Sequence, residues 1–176
     1  MPKGSNVTIR SFKGRSPKIS SEAYIFENVS IYGDVTIEAG CVVMPGCVIR
    51  SEQFPIVIGK GSNLQDLTIL HDETDLGGIL IGENVTVGHG VILHACTIKS
   101  NAIIGMGAII QNNAVVGSNC LIGAGAIVTE RTVINDGMMA FGIPAKEKRQ
   151  LTEKEIASID ETAIEYQTLA KEYLDR

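Results

Sequence analysis

Aliphatic residues recur every six positions from Ile19 onward: Ile25, Ile31, Ile37, Val43 and Ile49. After a slip of three the phase resumes at Ile58, Leu64 and Leu70, and after a second interruption at Ile81, Val87 and Leu93. One residue early, it restarts at Ile98 and runs unbroken through Ile104, Ile110, Val116, Ile122, Val128 and Ile134. A second column stands four residues after each aliphatic. It holds small or β-branched residues such as Ala23, Val29, Cys41, Cys47, Ser62, Thr68, Val85, Val91, Thr97, Ala102, Ala108, Ala114 and Cys120. A period of six is neither the 3.6 of a helix nor the simple alternation of a strand. It predicts short strands joined by tight corners, with glycines such as Gly59, Gly82 and Gly105 easing the backbone there. Three hexads then close one triangular turn, and stacked turns share one aliphatic core, a parallel β-solenoid. Val7-Thr8-Ile9 suggests an extra strand before the repeats.

The pattern changes after Gly142-Ile143-Pro144. From Leu151 to Arg176 the chain is charged, with apolar residues at Ile156, Ile159, Ala163, Tyr166, Ala170 and Tyr173, a helical spacing. Thr152 followed by Glu155 is a capping-box start. The expected organisation is a solenoid over residues 1–145 and a C-terminal helix over 146–176, packed on it.

Composition agrees. The chain holds 24 Ile and 14 Val against 10 Leu, with 19 Gly and no Trp. β-branched side chains suit pleated surfaces and lose freedom in helices. The 176 residues fit one domain. A net charge of −5 leaves no basic footprint for nucleic acid or anionic lipid. No apolar run reaches the roughly 18–20 residues of a membrane span. The first residues lack the apolar stretch of a secretory signal. These features point to a cytoplasmic protein. Cys41, Cys47 and Cys120 fall in the inward column and Cys96 off it, so the cysteines are read as apolar fillers rather than disulfides.

The chain has three histidines, His71, His89 and His94. His71 follows Leu70 and His94 follows Leu93, so the two stack on one edge in successive turns, about 4.8 Å apart. Arg50, after Ile49, lies one turn below them. His89, two residues after Val87, belongs to another edge, with Asp66 one turn below it and Gln65 beside Asp66. Two stacked imidazoles suit one metal ion. A threefold trimer would set one chain's His89 column against the next chain's His71 and His94, leaving a three-histidine zinc with one open position, the catalytic arrangement. Arg50 and Asp66 are read either as catalytic groups or as an interface ion pair. Gly123-Ala124-Gly125 and Gly105-Met106-Gly107 are solenoid corners, not phosphate loops.

The repeats over about residues 19 to 143 resemble the hexapeptide-repeat, left-handed parallel β-helix proteins. Within that superfamily, several strings resemble the gamma-class carbonic anhydrases. They are Val48-Ile49-Arg50-Ser51-Glu52, Asn63-Leu64-Gln65-Asp66 with Leu70-His71, Gly88-His89 with Leu93-His94, Gly105-Met106-Gly107, and Gly142-Ile143-Pro144-Ala145. The resemblance implies zinc held by His71 and His94 of one subunit and His89 of its neighbour in a homotrimer. It also implies that Gln65 orients the zinc-bound solvent and that Arg50 pairs with Asp66 across the interface. Tyr166 stands where relatives often carry a helix tyrosine near the site. The family has Asp where this chain has Glu52. Its long acidic loop is here the short segment beginning Asp72-Glu73-Thr74-Asp75, whose Glu73, Asp72 and Asp75 are the acids available to move a proton. The implied activity is reversible hydration of carbon dioxide to bicarbonate by a metal-bound hydroxide, with iron or cobalt as alternative metals. Two other readings of the same fold stay open, a coenzyme A-dependent acyltransferase and a non-catalytic metal-binding scaffold.

Overall fold

The computed structural model describes residues 4–174. Its strands form three parallel sheets that make the faces of a triangular prism. The first face stacks Thr8–Arg10, Ser30–Tyr32, Val48–Arg50, Ile69–His71, Ile92–His94, Ile109–Ile110 and Ile127–Val128. The second runs from Lys18–Ile19 to Val133–Ile134, and the third from Tyr24–Ile25 to Met138–Gly142. Each turn visits the third, first and second faces in order, so every hexad contributes one short strand and one corner. The strand suggested by Val7-Thr8-Ile9 forms as Thr8–Arg10 and pairs with Ser30–Tyr32.

The six-residue phase is borne out position by position. Every aliphatic from Ile25 to Ile134 in that register lies in one continuous core, and Ile19 packs against it. The inward column of Ala102, Ala108, Ala114, Cys120 and Ala126 is buried with it. One inward position differs from expectation. The turn holding Leu93 is a residue short, so Cys96 fills the small inward slot and Thr97 faces outward from its strand. Ala95 absorbs the shorter corner in the left-handed region, with φ of 43°.

The two interruptions are loops. Residues 51–55 bulge between Val48–Arg50 and Ile56–Ile58, and residues 72–78 between Ile69–His71 and Ile79–Ile81. The buried Asp72 carboxylate ties them together, accepting hydrogen bonds from the backbone N–H of Glu52 (2.8 Å), Gln53 (2.7 Å) and Phe54 (2.8 Å).

The segment after Pro144 is not helical from its start. Ala145–Gln150 doubles back as a strand antiparallel to Met138–Gly142, closing the end of the third face. Its run of Lys, Glu and Arg hides the strand from a hydrophobic pattern, because the pairing is made by backbone on an exposed edge. The helix spans Glu153–Leu174 and lies against the third face, over Val42–Val43, Asn63–Leu64 and Thr86–Val87. Ile159, Ala163 and Ala170 are its buried stripe. The capping box forms: the Glu155 carboxylate accepts from Thr152 N at 2.8 Å, and the Thr152 hydroxyl accepts from Glu155 N at 3.3 Å. Among the described residues, no helix is long and apolar enough to cross a membrane.

Candidate metal-binding edges

Two edges of the prism carry the predicted site residues. At the edge between the first and second faces, Arg50, His71 and His94 are register partners in three successive turns. The rings of His71 and His94 lie 5.0 Å apart between centroids, and His71 Nδ1 is 3.0 Å from His94 Nε2. Glu52 stands beside them, its carboxylate bonded to the Arg50 guanidinium and its Oε2 3.8 Å from His71 Nε2. Glu73 Oε2 lies 4.0 Å from His94 Nε2. Glu73 is thus at the site, whereas Asp72 is committed to its loop and Asp75 is exposed at the loop's tip.

Electrostatics disfavour the charged form of His71. Burial, then the Arg50 guanidinium and the neighbouring His94, lowers the His71 pKa below its ordinary value. Asp72 is opposed by its own burial, yet the three backbone N–H donors and His71 hold its carboxyl below the usual range.

At the edge between the third and first faces, His89 Nδ1 and Asp66 Oδ2 are 2.8 Å apart. Gln65, the neighbour of Asp66, is buried. Tyr166 on the helix belongs to this edge: burial, then the nearby Asp66 and Glu165 charges, raises its phenol pKa. Within one chain Arg50 therefore pairs with Glu52, and Asp66 with His89, each on its own edge. No three His, Cys, Asp or Glu side chains among the described residues are placed to hold a metal ion within one chain.

One observation bears on whether these residues suit a metal. His71 Nε2 is buried and has no hydrogen-bond partner. A ring nitrogen shielded from water, on an imidazole whose charged form is disfavoured, fits the role of a metal ligand, and the donor set fits zinc. The four cysteines offer no competing site. All are free and buried, and burial pushes the Cys41, Cys47 and Cys96 thiols up to about 12.

Two residues of the first edge carry no signal in the hexad pattern. His94 Nδ1 lies 2.6 Å from Asn112 Oδ1, and Asn112 Nδ2 lies 3.4 Å from Glu130 Oε1. Register pairs Leu93 with Ile110, so the position one turn beyond His94 is Gln111, and Asn112 stands one residue further along, with Glu130 a full 18-residue turn after it. Counting register two turns beyond His94 leads instead to Gln111 and Thr129, because the corner at Ala95 is a residue short.

The fold places the chain among the hexapeptide-repeat proteins. A family model described as bacterial transferase hexapeptide (six repeats) matches residues 95–130. A solved hexapeptide transferase family protein from Anaplasma phagocytophilum superposes with a TM-score of 0.91 at 37% identity, covering 95% of this chain and 98% of that one. The chain belongs, more narrowly, to the gamma-class carbonic anhydrase family. It is 42% identical to a carbonic anhydrase of Geobacillus kaustophilus, over 90% of this chain and 86% of that protein. It is 37% identical to the mitochondrial gamma carbonic anhydrase 2 of Arabidopsis thaliana over 93% of its own length, but spans only 61% of that relative.

Proposed function

We propose that the protein is a zinc-dependent carbonic anhydrase, interconverting carbon dioxide and bicarbonate at sites shared between the chains of a homotrimer. The observation that carries this reading is the placement of the histidines on the two edges that bound the first face. A threefold axis facing that sheet brings the His89 edge of each chain to the His71 and His94 edge of the next. The outward positions of the sheet support such packing, because Val48, Ile69, Ile92, Ile109 and Ile127 form one aliphatic ladder. Ile69 on that ladder is 43% exposed in the single chain, a large apolar side chain that association would cover.

His71 and His94 of one chain and His89 of its neighbour would hold the ion. Zinc bound there supplies an acidified water, its pKa brought toward about 7, as the nucleophile for carbon dioxide at neutral pH. Gln65 offers an amide from a buried corner beside His89's edge, suited to orient that water by a hydrogen bond. Hydration of carbon dioxide releases one proton for each bicarbonate formed. Glu73 and Glu52 stand within 4.0 Å of ligand nitrogens and reach solvent, as proton carriers must. Arg50 and Asp66, facing each other across the same interface, would pair there. The free, buried thiols fit a reducing compartment, in keeping with a cytoplasmic setting.

Complementation tests the shared site. Purified protein is expected to hold one zinc per chain and to hydrate carbon dioxide, while His89→Ala and His94→Ala each lose both. Co-refolding the two variants in equal amounts restores one intact site in every mixed trimer, about a quarter of wild-type activity by random assembly. No recovery in mixed trimers would mean that the three histidines do not meet across chains. Full metal loading without hydration would overturn the catalytic reading.

A further inference from the structure

We infer that Asn112, backed by Glu130, is a positioning residue that fixes which nitrogen His94 offers to the metal. The inference rests on reading His94 as a ligand. A carboxylate can only accept hydrogen bonds, so the Asn112 NH2 group faces Glu130, 3.4 Å away, and the amide carbonyl faces His94. A carbonyl also only accepts, so the His94 Nδ1 at 2.6 Å carries the proton. A neutral imidazole protonated at Nδ1 leaves Nε2 bare.

The consequence reaches the next ring. A bare His94 Nε2 accepts from His71 Nδ1 at 3.0 Å, which puts the His71 proton on Nδ1 and strips Nε2. That is the buried nitrogen without a partner. Donors therefore run in one direction, from His71 through His94 and Asn112 to Glu130, and one exposed carboxylate sets the tautomer of both imidazoles. Turning the amide over would aim its oxygen at the Glu130 carboxylate and reverse the whole chain.

The solenoid holds this relay by its repeat. Asn112 and Glu130 occupy the same edge as His94 in the two following turns, where strand spacing is about 4.8 Å. Main chain pins Asn112 in place, since Arg131 N donates to its carbonyl at 2.9 Å and the adjacent Asn113 N donates to Ala95 O at 2.7 Å. Tautomer control of this kind lets a ligand bind without first redistributing its proton.

Two measurements test it. Nitrogen-15 chemical shifts of the metal-free wild type are expected to report His94 and His71 as Nδ1–H tautomers, with His94 losing that preference in Asn112→Leu. Competition with a chelator is expected to show zinc and cobalt bound about 10- to 100-fold more weakly by Asn112→Leu. The double variant Asn112→Asp with Glu130→Gln preserves the polarity of the chain and is expected to recover wild-type affinity. An Nε2–H tautomer of His94 in the wild type would overturn the inference, and so would unchanged affinity in folded Asn112→Leu. Should Asn112→Leu fail to fold, the wild-type shifts decide alone. Wild type that binds no metal would instead sink the proposed function, while the shifts still judge the role of Asn112.

Discussion

From Ile98 to Ile134 the hexads run without a break, inward positions are aliphatic or small, and no polar side chain is buried. Between Ile49 and Leu93 the same three faces are interrupted twice, and the buried polar side chains, from Ser51 through Asn63, Gln65 and Asp72 to Thr86, all fall there. Yet both stretches belong to one core and one set of parallel ladders. The family model of the repeat matches the regular stretch, which contains no histidine. Repetition supplies a straight, stackable wall, and departures from repetition load that wall with chemistry.

The sharpest way to separate the two stretches is to damage each and read stability against metal. Ile110→Ala removes a fully buried side chain from the regular wall and is expected to cost about 2–5 kcal/mol in urea unfolding. Metal content per folded chain should stay unchanged. His89→Ala alters a half-exposed side chain and is expected to move stability by no more than about 0.5 kcal/mol while abolishing metal retention. If His89→Ala unfolded the protein and Ile110→Ala stripped its metal, the division between wall and site would collapse.

Asp72→Asn probes the irregular stretch from within. Its carboxylate satisfies three backbone donors of the 51–55 loop that carries Glu52, so the expected loss is about 1.5–3 kcal/mol. The pH dependence has a definite sign. The folded pKa of Asp72 is depressed despite its burial, so its contribution is fully present above the usual Asp value of about 3.9 and vanishes as pH falls through the lower folded value. The gap between wild type and Asp72→Asn should therefore be constant from neutral pH down to about 4 and narrow below it. A gap that widened on acidification would show that the carboxylate is not held as an anion.

The same contrast explains what could be read from residues alone. The solenoid was legible because its core repeats one side-chain choice many times, and the histidine edges were legible because register follows from counting along that repeat. Thr97 and Cys96 exchanged roles because the early restart at Ile98 reveals a one-residue deletion but not that the corner at Ala95, before the inward slot, absorbs it. The edge strand at Ala145–Gln150 is held by backbone pairing, to which hydropathy is blind. Asn112 was hidden for a different reason: asparagine at a corner is ordinary here, as Asn101 and Asn119 are, and register counted from His94 leads to its neighbour Gln111.

The smallest expected effect lies at the corners themselves. In the regular stretch the left-handed position is held by Asn or Gly at Asn101, Gly107, Asn113, Asn119, Gly125 and Gly137, with Arg131 the one exception. Beside the histidine columns Gly90 holds it after His89, but Leu67, with φ of 61°, and Ala95 hold it as well. A left-handed conformation is strained for a side chain with a full Cβ and γ-branch, by roughly 1–2 kcal/mol, whereas Asn tolerates it. Leu67 is 67% exposed, so in the single chain no burial offsets the strain. Leu67→Asn is therefore expected to raise stability by about 0.5–1 kcal/mol in thermal melts, and Asn113→Leu, the reverse exchange in the regular wall, to lower it by a similar amount. Opposite signs from the two exchanges would locate the strain at the site edge rather than in the repeat. A loss from Leu67→Asn, accompanied by dissociation of the proposed trimer, would mean that the leucine is kept in a strained corner because a neighbouring chain packs on it.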